Sequence, residues 1–268
     1  MSTSIKYDSY IKQIIFQKTG EKIQHIRPIL GKGTVNQVYH IKTDTSEFII
    51  RMNDSPNTLN IYQKEKWCME QANLQGIPSP KVLTIGQIQQ VTYMIQTFVQ
   101  GDNGKDTPID KQVIWKALGK YTKRIQAIPV NGFGETLADS VYRMFTASTH
   151  EGFDGTWHGF VRYNINSLTE NDPLIELGVF TLEESKKARK KFEKLLSIGF
   201  SFGLIHGDLS LKNTVVDDEG EVTLLDWGLA DFYKPGLKLN VKVASRYYKP
   251  PEILLEQRLY DYSFDLWS

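Results

Sequence analysis

The stretch Leu204-Ile205-His206-Gly207-Asp208-Leu209-Ser210-Leu211-Lys212-Asn213, followed a little later by Leu224-Leu225-Asp226-Trp227-Gly228, constrains this chain more than any other part of it. It sets the carboxylate of Asp208, the amide oxygen of Asn213 and the carboxylate of Asp226 on two neighbouring turns. One oxygen group to orient a hydroxyl and two to hold hard cations is the set that magnesium-dependent phosphoryl transfer requires. The interval between the aspartates has room for one strand, the turn Asp217-Asp218-Glu219-Gly220 and a return strand, so a hairpin should join the two turns. Each residue type alone means little, and the ordered set carries the signal.

Upstream, Tyr7, Tyr10, Ile11, Ile14 and Ile15 recur at helical spacing and predict an amphipathic helix ended near Gly20. Strand patterns follow at Ile26 to Leu30 and Glu47 to Met52, with Gly31-Lys32-Gly33-Thr34 between them and Arg51 near the end of the second. Two glycines there let backbone N–H groups approach a phosphate, although a Gly-X-Gly hairpin is equally an ordinary turn. Ile61 to Gln75 reads as a helix carrying Glu65, with Ile61, Trp67, Cys68, Ala72 and Leu74 as its apolar positions. Packed as in a kinase small lobe, Arg51 and Glu65 form an ion pair facing nucleotide phosphates; otherwise they are a surface pair worth about 0–1 kcal/mol. Val91 to Val99, which contains Gln96 and Phe98, is an apolar run that serves either as an edge strand or as a connector whose backbone meets an adenine edge.

Farther on, Leu118, Tyr121, Ile125 and Ile128 mark a core helix, while Thr136 to Thr181 has no clean period and reads as loops and short helices. The helix Leu182 to Leu196 opens with Thr181 as cap and carries a basic solvated face opposite Ala188, Phe192, Leu195 and Leu196. Composition excludes several function classes. A formal net charge of +1 over 268 residues gives no global attraction to nucleic acid or to an anionic membrane. Cys68 is the only cysteine, which rules out an internal disulfide and a zinc cluster and suits a cytoplasmic location. No segment has the about 18 apolar residues of a membrane span, and the first residues carry no secretory signal.

The order of glycine-rich hairpin, Arg51, Glu65, connector, His206-Gly207-Asp208…Asn213 and Asp226-Trp227-Gly228 resembles the kinase-like phosphotransferase fold. Residues 5–230 resemble the aminoglycoside phosphotransferase family, notably at residues 31–39, Ile49-Ile50-Arg51, Gly76-Ile77-Pro78-Ser79-Pro80 and residues 206–213. The resemblance implies an α+β, two-lobed fold, with residues 1–100 as a nucleotide-binding lobe and 101–268 as a catalytic and substrate lobe. It implies ATP and magnesium, with Gly31, Gly33, Thr34, Arg51, Glu65, Gln96 and Phe98 serving the nucleotide. Asp208 would orient the hydroxyl of a small hydroxylated substrate as catalytic base, and Asn213 and Asp226 would ligate the metal. Eukaryotic protein kinases usually have Arg where Gly207 stands, and serine/threonine kinases have Lys where Ser210 stands, which favours a small-molecule acceptor.

Beyond Ala230 the likeness changes. Residues 231–236, 240–252 and 260–268 resemble the activation and substrate segment of the casein kinase II catalytic subunit. There Lys242, Arg246 and Lys249 would form a basic pocket for an acidic protein substrate, making a serine/threonine protein kinase the alternative and a nucleotide-binding module without turnover a further one. Both families continue past the position of Ser268 into large-lobe helices, so an incomplete large lobe is expected.

Overall fold

The computed structural model describes residues 3–29, 36–147, 149–198 and 202–233. The glycine-rich positions Gly31, Gly33 and Thr34 and the basic positions Lys242, Arg246 and Lys249 lie outside the described residues.

The chain opens with α1 (Thr3–Thr19), whose residues Ile11, Ile14 and Ile15 are buried and which gives way at Gly20 with a φ of +73°. Next come β1 (Ile23–Pro28), β2 (Gln37–Thr43), β3 (Glu47–Asn53), α2 (Thr58–Leu74), β4 (Val82–Ile88) and β5 (Val91–Thr97). The five strands form one antiparallel sheet in the order β1-β2-β3-β5-β4, with Arg51 opposite Val38 on one side and Met94 on the other. Alternation along β2 and β3 sends Tyr39, Ile41, Phe48, Ile50 and Met52 into a core shared with α1.

β6 (Asp102–Asn103) follows the connector and pairs with β11 (Thr214–Val216), which also pairs with β12 (Val222–Leu224). Asp217 closes the β11–β12 hairpin by accepting from the N–H groups of Glu219 and Glu221, as its turn sequence predicts. α3 (Lys111–Gln126) is capped by Asp110, whose side chain accepts from Gln112 N–H at 2.9 Å. It buries Ile114, Leu118, Tyr121 and Ile125, and the Tyr121 hydroxyl donates to Val222 O at 2.7 Å, pinning the helix to the hairpin. β7 (Pro129–Phe133), β8 (Thr136–Asp139), β9 (Met144–Thr146), β10 (Phe202–Ile205) and β13 (Asp231–Tyr233) form a second sheet in the order β13-β10-β7-β9-β8.

Between β9 and β10 lie α4 (Trp157–Ser167), α5 (Pro173–Glu176) and α6 (Leu182–Leu195). α4 gives the aperiodic region more regularity than its sequence shows. Thr156 caps it by accepting from Gly159 N–H, and the spacing Trp157, Val161, Ile165 is its buried stripe. α6 has the predicted cap at Thr181, which the Glu184 side chain completes as a capping box, and its basic residues pair with acids on the surface, Lys187 with Glu183 and Arg189 with Glu193. Phe192 and Leu195 pack on the core, whereas Leu196 is exposed. Among the described residues no helix is long and apolar enough to cross a membrane.

Candidate active site

The stretch His206 to Asn213 begins where β10 ends. Leu204 and Ile205 are buried strand residues, His206 is fully buried, and Gly207 turns the chain with a φ of +82°. A Cβ at position 207 would lie 2.2 Å from Leu229 O, so this backbone accepts glycine alone. The arginine that protein kinases carry at the equivalent place has no room here.

His206 ties the two turns of the site together. Its Nε2 meets Leu225 O at 3.0 Å, and Asp208 N–H donates to its Nδ1 at 3.3 Å. That pattern is satisfied by one neutral tautomer, with the proton on Nε2. Burial pushes the imidazole pKa down, outweighing the nearby carboxylates of Asp226 and Asp208. The ring packs edge-on against Trp227 at 4.7 Å between centroids, and Trp227 is itself fully buried.

Asn213 sits at the end of a single 3₁₀ turn, and its Nδ2 donates to Asp208 O at 2.8 Å. Its amide donor is thereby used inside the loop, which leaves the side-chain oxygen as the atom for a cation. Leu225 N–H donates to Asn213 O at 2.8 Å, so Asp208, Asn213 and Asp226 belong to one backbone network. Asp226 adopts a left-handed backbone with φ 59° and is exposed, with its carboxylate at the open side of the site. A left-handed aspartate costs about 1–2 kcal/mol, a strain met where a side chain is held for function.

The Asp208 carboxylate is divided. Lys212 Nζ lies 3.1 Å from Oδ2, while no donor among the described residues reaches the buried Oδ1. An unmet buried acceptor costs about 1–3 kcal/mol, so Oδ1 has the capacity to accept from a further donor.

Arg51 and Glu65 meet as the sequence predicts, through two hydrogen bonds, with Nη2 donating to Oε1 at 3.2 Å and Nη1 to Oε2. The side chains are 13% and 1% exposed, which removes the surface-pair alternative. Burial works against the guanidinium charge, yet Glu65 and Asp226 more than offset it, and the Arg51 pKa is pushed up. The Tyr62 ring supports the guanidinium from 5.3 Å. Arg51 is thus a fixed cation between the sheet and Asp226.

One member of the site escaped the sequence reading. Lys64, beside Glu65 on α2, is buried and donates to Gly228 O at 3.1 Å and Ala230 O at 3.0 Å. Helical periodicity assigns the buried face of α2 to its apolar residues, but Ile61 and Leu74 are exposed while Lys64 and Glu65 are buried. The sequence offers little to single it out, since Lys66 and Glu70 of the same helix are charged as well and pair on the surface.

Of the two positions expected in the edge strand or connector, Gln96 lies in β5 inside the sheet, between Ile49 and Val82, and keeps a buried Oε1 that no described residue satisfies. The Phe98 ring instead stacks on His40 with centroids 4.3 Å apart, and His40 Nε2 meets Glu47 at 2.7 Å. Among the described residues no three His, Cys, Asp or Glu side chains gather as a metal cage. A magnesium ion here would rest on Asn213, Asp226, phosphate oxygens and water, which is the usual way that ion is held.

A five-stranded antiparallel lobe with a buried Arg–Glu pair, joined to a helical part bearing the turns of Asp208 and Asp226, is a kinase-like phosphotransferase fold. The chain belongs to the phosphotransferase enzyme family APH, whose model matches residues 25–265. Among solved structures it is similar to the aminoglycoside phosphotransferase APH(4)-Ia, with a TM-score of 0.57 at 16% identity, covering 85% of this chain and 73% of that one. A thermostable mutant of that enzyme, in ternary complex with ADP and hygromycin B, matches with a TM-score of 0.53 at 16% identity over 83% of this chain and 72% of that one. At these identities the likeness is one of fold. A probable serine/threonine-protein kinase of Dictyostelium discoideum is 45% identical over 93 residues, which is 34% of this chain and 15% of that protein. The chain therefore spans a small part of that curated relative's length.

Proposed function

We propose that the protein transfers the γ-phosphoryl group of ATP to a hydroxyl of a small molecule. The observation that carries this reading is the divided carboxylate of Asp208, whose buried Oδ1 lacks a donor and is joined through Asn213 and Leu225 to Asp226. ATP supplies the phosphoryl group and, through its phosphates, part of the ligand shell of a magnesium ion. The unmet Gln96 Oε1 fits a nucleotide amine, and the paired, buried Arg51 fits its phosphates. Asp208 orients the acceptor hydroxyl by receiving its hydrogen at Oδ1, Asn213 and Asp226 would hold a magnesium ion that offsets phosphate charge, and Glu65 keeps Arg51 in place. Catalysis of this kind is positioning and charge stabilisation. Residues 1–100 act in this reading as the nucleotide lobe and 101–268 as the catalytic and substrate lobe, in a cytoplasmic protein. The ADP and hygromycin B complex of a structural neighbour supports both the nucleotide and the class of acceptor.

A second reading has its own support. The 45% identity to a protein kinase over 93 residues, with the casein kinase II-like basic positions Lys242, Arg246 and Lys249, favours acidic Ser/Thr peptides as acceptors. Purified protein with magnesium and labelled ATP, offered an aminoglycoside panel or acidic peptides, separates the two. We expect label on the small molecules and a loss of about 10²- to 10⁴-fold in Asp208→Ala. Transfer to peptides alone favours the second reading, and nucleotide binding without transfer leaves a module that does not turn over.

A further inference from the structure

Lys64 is a buried cation to which the transfer chemistry above gives no task. It stands one residue before Glu65 on α2 and is 6% exposed. A lysine closed off in this way loses its hydration, so its donors must be met by the protein. They reach a distant part of the chain, with Nζ donating to Gly228 O at 3.1 Å and to Ala230 O at 3.0 Å.

Those two carbonyls lie at the end of a single 3₁₀ turn, Trp227–Leu229, whose leading flank is Asp226 in its left-handed conformation. The carbonyl between them, Leu229 O, is the one on which Gly207 packs, since a Cβ at Gly207 would lie 2.2 Å from it. Three successive carbonyls after Asp226 are thus fixed in place, two by the ammonium and one by close packing. Gly228 is also where two carboxylates approach each other. A Cβ on Gly228 would lie 3.2 Å from Glu65 Oε1 and 3.4 Å from Asp226 Oδ1. The residue whose carbonyl Lys64 holds is therefore the one beside which the Asp226 carboxylate rests.

We propose that Lys64 is a positioning residue for the metal: by holding the carbonyls of Gly228 and Ala230 it fixes the turn that aims the Asp226 carboxylate, and so sets how much magnesium adds to nucleotide binding. This rests on the reading of Asp226 as a magnesium ligand. The left-handed backbone of Asp226 is uphill for an L-residue. Without the two hydrogen bonds the turn can relax, and the carboxylate leaves the place where it would meet a cation. A group that orients a metal ligand from behind changes metal affinity by about 10- to 100-fold. A lysine that only fastened α2 to the turn would lower stability and leave the metal's share of nucleotide binding as it was.

The test titrates ADP into the whole chain by calorimetry twice, once with a chelator and once with saturating magnesium, and the ratio of the two affinities is the contribution of the metal. We expect Lys64→Met, which keeps the length and loses the donors, to reduce that ratio about tenfold or more, while affinity for metal-free ADP changes by less than about threefold. Lys64→Arg keeps charge and donors and should recover part of the loss. Turnover of Lys64→Met should need more magnesium, with kcat regained when magnesium is high. An unchanged ratio in Lys64→Met overturns the proposal, and so does an equal loss with and without magnesium, which is the mark of a purely structural tie. Asp226→Asn tests the underlying reading separately: an unchanged ratio there refutes Asp226 as a ligand, whereas a collapsed ratio beside an unchanged one in Lys64→Met refutes Lys64 alone. A parent in which magnesium adds nothing to ADP affinity overturns both. Thermal melting within a few degrees of the parent shows that folded proteins are compared, and where Lys64→Met fails to fold, Lys64→Gln, which retains an amide donor, is judged by the same ratio.

Discussion

Arg51 and Glu65 show how a single pair is decided by its surroundings. With Glu65 1% exposed, neither charge is hydrated, and each is tolerable only because the other faces it. Glu65→Gln keeps the shape and removes one charge, so it should destabilise the protein by about 3 kcal/mol or more, read from denaturant unfolding. An unchanged midpoint would mean that Asp226 has taken Glu65's place beside Arg51. Gly207 is constrained in another way. With φ at +82° and Leu229 O 2.2 Å from any Cβ, Gly207→Ala must pay at least about 1 kcal/mol for its backbone and displace that carbonyl besides. Because Leu229 follows the Asp226 turn, we expect both a lower melting temperature and reduced turnover. Full activity in this variant would show that the turn can shift without harm.

At the scale of elements, α2 connects the sheet to the second catalytic turn. Glu65 holds Arg51 of β3, and one residue earlier Lys64 holds the carbonyls of Gly228 and Ala230, so movement of this helix would disturb Arg51 and the Asp226 turn together. α6 has a different dependence. Hydrogen bonds from the Thr181 backbone and hydroxyl lower the Glu184 pKa, so the unfolded chain takes up the proton first as acid is added. The capping box therefore contributes fully above the ordinary carboxylate value of 4.5 and is lost as pH falls through the lower folded value. The protection of amides in the first turn of α6, taken relative to the intrinsic exchange rate at each pH, should fall below about pH 4.5, and Glu184→Gln should remove that dependence. Protection that is flat with pH in the parent would show that the cap does not hold the helix.

At the scale of the whole molecule, the described residues form two cores that meet at β5, whose Val91, Tyr93 and Ile95 belong to the first and whose Met94 belongs to the second. The first runs from Tyr7 to Ile95 and lies between α1 and the five-stranded sheet. The second takes Tyr62, Trp67, Cys68, Met69 and Ala72 from α2 and continues to Ala230. Since α2 is built into the core of the catalytic part and is tied by ion pair to the sheet, the lobes should unfold together. Ile11→Ala and Leu204→Ala, one in each core, are each expected to cost about 2–5 kcal/mol and to lower the same single calorimetric transition. Two separated transitions, each moved by one variant, would show that the lobes are independent.

Much of this architecture was legible in the sequence, because periods and turn chemistry are local. The helices at Thr3–Thr19, Thr58–Leu74 and Lys111–Gln126, the β11–β12 hairpin and the order of Arg51, Glu65, Asp208, Asn213 and Asp226 all follow from spacing. α4 was hidden because Thr156 and the stripe Trp157, Val161, Ile165 are short signals among aromatic residues with no clean period. The contacts that set the chemistry were not legible. Lys64 reaches Gly228 across 164 residues, and nothing local tells a buried lysine from a solvated one. Lys212 is four residues from Asp208, yet only the 3₁₀ turn decides that its ammonium points back at the carboxylate. The sequence by itself determined which reaction groups the chain carries and in what order. The tertiary structure alone decided which charges are buried together, because desolvation depends on every neighbour in space and on none in particular along the chain.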